Sequence, residues 1–235
     1  GKVSRFKSWK SGRVIQVFSD IELKFAYLLE WSDAVADYYE QFPLLPLEET
    51  IVLAERLGVS LPMEDGEPRV RTTDFVIDVE VSGIQTRQAR SIKPASELQV
   101  KKTVLLLEIE RRYWEARTTD WAIATEREIP DAMASNIEWV HDARSLEDHQ
   151  RLARMPLSDV LPGLRAAIAD SDLPLAHTCL DFDRRVGFDP GSSLFLVRHQ
   201  LANKVWHVDM SKPIDTGEPL ELLEVSTAIE KRDVA

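Results

Sequence analysis

Thr73-Asp74-Phe75-Val76-Ile77-Asp78-Val79-Glu80-Val81 alternates polar with apolar residues, and Ser82-Gly83 then offers a turn into a second extended run, Gln85 to Ile92. A period of two is the signature of a strand with one buried face, and a short Ser-Gly link suits a hairpin. Pro94 lacks a backbone donor and ends the second strand. Asp74 therefore opens one strand while Ser91-Ile92-Lys93 closes its neighbour. On such a hairpin the acid and the lysine, nineteen residues apart, can approach one another.

Outward from this hairpin, strands and helices alternate. Upstream, Gly12 to Phe18 is rich in β-branched residues and reads as a strand. Ser19-Asp20-Ile21-Glu22 has the S-x-x-E form of a helix start, with Ile21, Phe25, Leu28 and Leu29 following at helical spacing. Pro43 and Pro46 in Phe42-Pro43-Leu44-Leu45-Pro46 must break any helix. Glu49 to Leu57 is predicted helical and closed by Gly58, and Glu64-Asp65-Gly66-Glu67-Pro68 is predicted as a loop. Downstream come the longest helix, Lys101 to Arg117, a strand from Trp121 to Thr125, and a helix from Asp131 to Val140.

From about Leu146 the pattern changes to short helices. Ser158 is expected to cap Asp159 to Ala169, Pro174 to open a helix that Gly187 closes, and Ser193 to cap one running to Asn203. A small hairpin, Val205 to Asp209 with Leu220 to Val225, is expected after them. Helices followed by a two-stranded wing is the order of a winged-helix module. The expected organisation is an α/β domain over 1–145 and a small winged-helix-like domain over 146–235.

Composition narrows the class. Hydrophobic residues make up 44% of 235, enough for a real core. One cysteine, Cys179, excludes an intrachain disulfide and a cysteine-built zinc site and favours a reducing compartment. No run of about eighteen uncharged apolar residues could span a membrane, and no apolar run follows Gly1-Lys2-Val3-Ser4-Arg5. A cytoplasmic protein is expected. The net charge of -11 argues against nucleic-acid binding through the overall field, but its distribution is uneven. Residues 1–13 hold Lys2, Arg5, Lys7, Lys10 and Arg13 with no acid, and residues 85–117 hold eight cations against four acids. Two basic segments on an acidic body can follow a phosphate backbone, or can be solvated surface with no partner.

Glycine-rich phosphate loops, H-E-x-x-H and G-x-S-x-G are absent. Asp74 and Lys93 remain, a carboxylate suited to a divalent metal beside an ammonium able to orient the attacking water at a phosphodiester. Glu22 joins them from the first turn of the first helix, about 20° from Leu29 and 60° from Phe25, at the rim of the apolar face. Each has a structural reading as well: Glu22 as the third residue of a capping box, Asp74 as a strand end, Lys93 as a solvated charge. Helix, strand and strand in this order fit the D…(D/E)-x-K nuclease arrangement, a pattern many unrelated chains share.

Longer strings are more specific. Phe18-Ser19-Asp20-Ile21-Glu22-Leu23, Leu29-Glu30-Trp31, Glu40-Gln41-Phe42-Pro43-Leu44-Leu45-Pro46, Thr73-Asp74-Phe75, Ile92-Lys93-Pro94-Ala95, Glu110-Arg111-Arg112-Tyr113-Trp114 and Asn136-Ile137-Glu138-Trp139 come in one order. In that order they resemble the TnsA endonuclease subunits of heteromeric cut-and-paste transposases, over roughly residues 12–140. The resemblance implies a restriction-endonuclease-like domain followed by a winged-helix-like one. It implies Glu22, Asp74 and Lys93 as the catalytic set, metal held by Glu22, Asp74 and the Ile92 carbonyl, and Glu110 in support. The cofactor implied is Mg²⁺, with Mn²⁺ able to substitute. The activity implied is cleavage of the non-transferred strand at the 5′ ends of the element. Transposon-end DNA, a TnsB-type transposase and a TnsC-type ATP-dependent regulator are the implied partners.

One position departs from the family. Where it has Gln two residues before the lysine, this chain has Ser91, shorter and uncharged. Lys101, Lys102, Arg111 and Arg112 are expected to contact phosphates, with Arg111 and Arg112 equally readable as helix-surface charges. Two rivals stand beside the nuclease: an assembly subunit whose site is weakened at Ser91, and a DNA-binding regulator working through the winged helix. The acidic excess after Asp215 suits partner contact better than a DNA-reading wing.

Overall fold

The computed structural model describes residues 2–147 and 149–224, which divide into two compact units after Pro130. The first begins with a two-stranded antiparallel ribbon, β1 (Ser4–Lys7) and β2 (Val14–Val17). Helix α1 (Asp20–Trp31) starts at Ser19, whose extended backbone and side-chain oxygen cap the Glu22 amide. Strand β3 (Val35–Pro43) comes next, in a stretch the local pattern does not mark as a strand. Asp37, Glu40 and Gln41 obscure its alternation, and a register shift between Val35 and Asp37 breaks it. What holds it is tertiary: Tyr38 is wholly buried and donates its hydroxyl to the buried Glu30 carboxylate, 2.6 Å away.

Helix α2 (Leu47–Leu57) ends, as expected, on Gly58, at φ +63°. The loop expected at 64–68 closes into a minimal hairpin, β4 (Met63–Glu64) and β5 (Glu67–Pro68). Asp65 and Gly66 both have positive φ, the geometry that matches strand twist in a two-residue turn. The decisive hairpin forms as β6 (Thr72–Val81) and β7 (Ile84–Ile92), with Ser82 and Gly83 likewise at positive φ. A 3₁₀ turn over Ala95–Gln99, helix α3 (Lys101–Glu115) and strand β8 (Asp120–Ala124) complete the unit.

The main sheet has the order β3-β6-β7-β8, antiparallel except for the parallel β7–β8 pair. That parallel pair requires a crossover, which α3 supplies. Leu44, Val76 and Ala89 pack with Tyr113 and Trp114 of α3, and Ile109 of α3 packs with Ala54 of α2 and Leu61. The result is a mixed α/β unit whose helices cover the sheet with aromatic and aliphatic side chains.

In the second unit α4 (Asp131–His141) is followed by α5 (Gln150–Ala153), α6 (Leu157–Ala169), α7 (Leu175–Val186) and α8 (Ser192–Ala202). The helix at 131–141 thus groups with the C-terminal unit, where it packs on α8, while the sequence boundary of 145 leaves it in the first. Pro174 and Gly187 flank α7 as expected. Ser158 and Ser193, expected as caps, lie inside their helices; Pro156 and Gly191 occupy those positions. Ser193 instead donates its hydroxyl to the buried Asp183 carboxylate, which also accepts from the Gly191 and Ser193 amides. The expected wing reduces, among the described residues, to a single bridge, His207 with Leu223, joined by one backbone bond of 2.8 Å. Val225 lies outside the described residues. Asn136 holds the segment between the two bridge residues by donating to the Met210 and Lys212 carbonyls and accepting from the Ile214 amide. No helix among the described residues is long and apolar enough to cross a membrane.

Candidate active site

The paired register of β6 and β7 runs from Val81↔Ile84 to Phe75↔Arg90. Just past its end, a side chain continues the pairing. Asp74 Oδ2 accepts from the Ile92 amide at 2.7 Å and from the Lys93 ammonium at 2.8 Å. Lys93 Nζ also donates to the Ile92 carbonyl at 2.9 Å, and its own amide bonds to Ala124 in β8 at 3.1 Å. Asp74 Oδ1 receives, among the described residues, a single long contact from Gln41 Nε2, 3.4 Å. Asp74, Ile92 and Lys93 therefore meet where β7 leaves β6 for β8. The Asp74 side chain is 10% exposed and that of Lys93 26%, so the pair lies at the surface edge of the core.

Glu22 is placed differently. Its Oε2 accepts from the Phe18 amide at 3.0 Å and its Oε1 from the Ser19 hydroxyl at 2.7 Å, while its own amide donates to Ser19. This is the reciprocal capping box of the structural reading. One turn further on, Phe25 packs against Phe75, with ring centroids 5.4 Å apart. That contact lays the start of α1 over the strand that carries Asp74.

Behind the pair lies a buried polar network. Glu110 of α3 accepts from Arg71 at 2.6 Å on one oxygen, and from the Ser91 hydroxyl and Thr73 (3.3 Å) on the other. Trp121 donates to Ser91 at 3.1 Å and Trp114 to Thr73 at 2.8 Å. Burial raises the Glu110 carboxyl above its ordinary value, against the pull of the Arg71 charge and the Ser91 hydroxyl, with the Asp74 charge adding to the rise. Ser91, two residues before the lysine, is thus tied to a carboxylate from α3.

The expected phosphate contacts divide. Lys101 and Lys102 open α3 as exposed residues in a first turn with no acid and no side-chain cap. Arg111 and Arg112 both pair with Glu108, each at 2.7 Å, and hold that carboxyl down to about 2. Arg71 carries no local sequence signal, since its partner Glu110 stands thirty-nine residues away.

Residues 32–126 match the family described as "TnsA-like endonuclease N terminal", and residues 128–210 match "TnsA endonuclease C terminal". The chain is 35% identical over 205 residues to the transposon Tn7 transposition protein TnsA of Escherichia coli, covering 86% of this chain and 72% of that protein. This chain belongs to the TnsA endonuclease family of Tn7 transposition.

Proposed function

We propose that this protein is the DNA-cutting subunit of a heteromeric transposase, hydrolysing one phosphodiester of the non-transferred strand at the 5′ ends of the element during excision. The observation that carries the reading is the meeting of Asp74, Ile92 and Lys93 at the fork of β6 and β7. A carboxylate and a lysine held together at a partly exposed strand end suit phosphodiester hydrolysis, and the family membership supports a nuclease.

The oxygen donors available fit a hydrated Mg²⁺ or Mn²⁺ rather than a metal in an all-protein cage. Among the described residues no three His, Cys, Asp or Glu side chains cluster. Asp74 Oδ1 and the Ile92 carbonyl are hard donors, and Mg²⁺ retains several waters. Glu22 would join by exchanging its cap bonds. A metal ion bound there would supply Lewis-acid stabilisation of the phosphoryl group and leaving oxygen.

The chain's own residues do the rest. An ammonium carries three hydrogens, and Lys93 directs two of them at Asp74 and Ile92. The third is left for the attacking water or a non-bridging phosphate oxygen, where the fixed charge offsets what builds in the transition state. Lys101 and Lys102 repel the positive end of α3, an arrangement that helix stability disfavours and that suits a DNA phosphate. The acidic body fits a subunit that takes specificity and DNA affinity from a TnsB-type transposase and couples to a TnsC-type regulator. The same arrangement with Ser91's hydroxyl committed to Glu110 also suits an assembly subunit with a weakened site.

Calorimetric titration of Mn²⁺ into the chain and into its Asp74→Ala variant, followed by cleavage of end-labelled transposon DNA with the partner transposase, decides between them. The nuclease reading expects metal binding lost with Asp74, and nicking at the 5′ ends lost by about 10²-fold or more in Lys93→Ala, whose metal binding persists. Nicking that survives Asp74→Ala would sink it.

A further inference from the structure

We propose that Arg71 is a positioning residue for strand cleavage: its guanidinium holds the Glu110 carboxylate against Ser91 and Thr73, and so fixes the spacing at which Asp74 and Lys93 meet. The inference rests on the nuclease reading above, and names a residue that reading does not use.

The backbone register between β6 and β7 ends at Phe75↔Arg90. Beyond it, Glu110 spans both strands, accepting from Thr73, the residue before Asp74, and from Ser91, two residues before Lys93. The two hydroxyls each take part in two bonds. An indole N–H can only donate, so Trp114 and Trp121 occupy the acceptor sides of the Thr73 and Ser91 hydroxyls. Each hydroxyl directs its own hydrogen at Glu110. Two hydroxyl donors on one oxygen demand an acceptor there, and the Arg71 guanidinium on the other oxygen matches a carboxylate.

That carboxylate is 3% exposed and Arg71 is its sole cationic partner among the described residues, itself 15% exposed at the side chain. A buried charge stripped of its partner does not stay in place. Arg71 is anchored at its base, where its carbonyl accepts from the Leu44 amide at 2.8 Å. Its Nε is buried without a hydrogen-bond partner, so the side chain is placed for Glu110 rather than for satisfaction of all its donors. Losing Arg71 frees Glu110, slackens its grip on the two strands, and lets the Asp74–Lys93 geometry drift.

The test uses the full chain with its partner transposase, single-turnover nicking of end-labelled DNA, and indole N–H resonances of Trp114 and Trp121. Arg71→Met should lower the cleavage rate constant by about 10- to 100-fold, the scale of a misplacement near 1 Å, with half-saturating DNA unchanged. Arg71→Lys should restore part of the rate. Both indole resonances should move in Arg71→Met, without any need for cleavage. If Arg71→Met does not fold alone, Arg71→Met with Glu110→Gln, which buries no lone charge, should fold and cut as slowly. A folded Arg71→Met that cuts at the wild-type rate, or a loss confined to DNA affinity, overturns the proposal. Should the wild-type chain itself fail to cut, the nuclease reading falls, and unmoved indole resonances would still refute the hold of Arg71 on Glu110.

Discussion

Glu22 serves two readings at once, and a single substitution separates them. Gln completes a capping box as well as Glu does, so Glu22→Gln should melt within about 0.5 kcal/mol of the wild type. If Glu22 also binds metal, the same variant should lose Mn²⁺ affinity and nicking. Unchanged metal affinity would return Glu22 to the cap alone. Glu108 gives a pH prediction of defined sign. Arg111 and Arg112 hold its carboxyl at about 2, below its ordinary 4.5. Its stabilising contribution is complete above 4.5 and lost as pH falls towards about 2. Melting of Glu108→Gln and of the wild type should therefore differ most near neutrality and converge at low pH, and a gap that persists at pH 2 would refute the pairing. At this scale the sequence disclosed Asp74 and Lys93, because hairpin arithmetic alone brings strand ends together. It did not disclose Arg71, since no local pattern links it to a helix residue thirty-nine positions away.

The elements follow local chemistry where a turn or cap residue dictates the backbone. Gly58 closes α2 at φ +63° with nothing within 4 Å of where a Cβ would sit. Gly58→Ala should therefore cost about 1 kcal/mol from backbone strain alone, without a steric clash, measurable by urea denaturation. Ser82-Gly83 set the β6–β7 turn for the same reason. Strand β3 was illegible because its acidic residues carry no hydrophobic period; its ladder with β6 and the buried Tyr38–Glu30 bond show why it stays. The caps expected at Ser158 and Ser193 failed because other residues, Pro156 and Gly191, already hold the non-helical backbone there.

Across the whole chain, the net charge of -11 and the internal pairing of cations act together. Arg13, Arg87, Arg90, Arg111, Arg112 and Arg117 are all engaged with carboxylates. The chain without partners should bind duplex DNA weakly, with a slope of log K on log salt shallower than about -3, equivalent to some three phosphates. A much steeper slope would show that these pairs open on DNA. In the C-terminal unit, Asn136 makes three bonds to the segment from Met210 to Ile214. Asn136→Ala should destabilise by about 1–3 kcal/mol, seen as a lower melting temperature.

By itself the sequence determined the α/β order, the central hairpin, the turns and the family strings that carry Asp74 and Lys93. These depend on period, on backbone conformations few residues adopt, and on short stretches of contiguous chain. Only the tertiary structure decided that β3 joins the sheet, that the expected wing is a single bridge among the described residues, and that Arg71 and Glu110 stand behind Ser91. Those outcomes depend on which buried donor meets which acceptor, and such pairings form between residues that only the folded chain brings within reach.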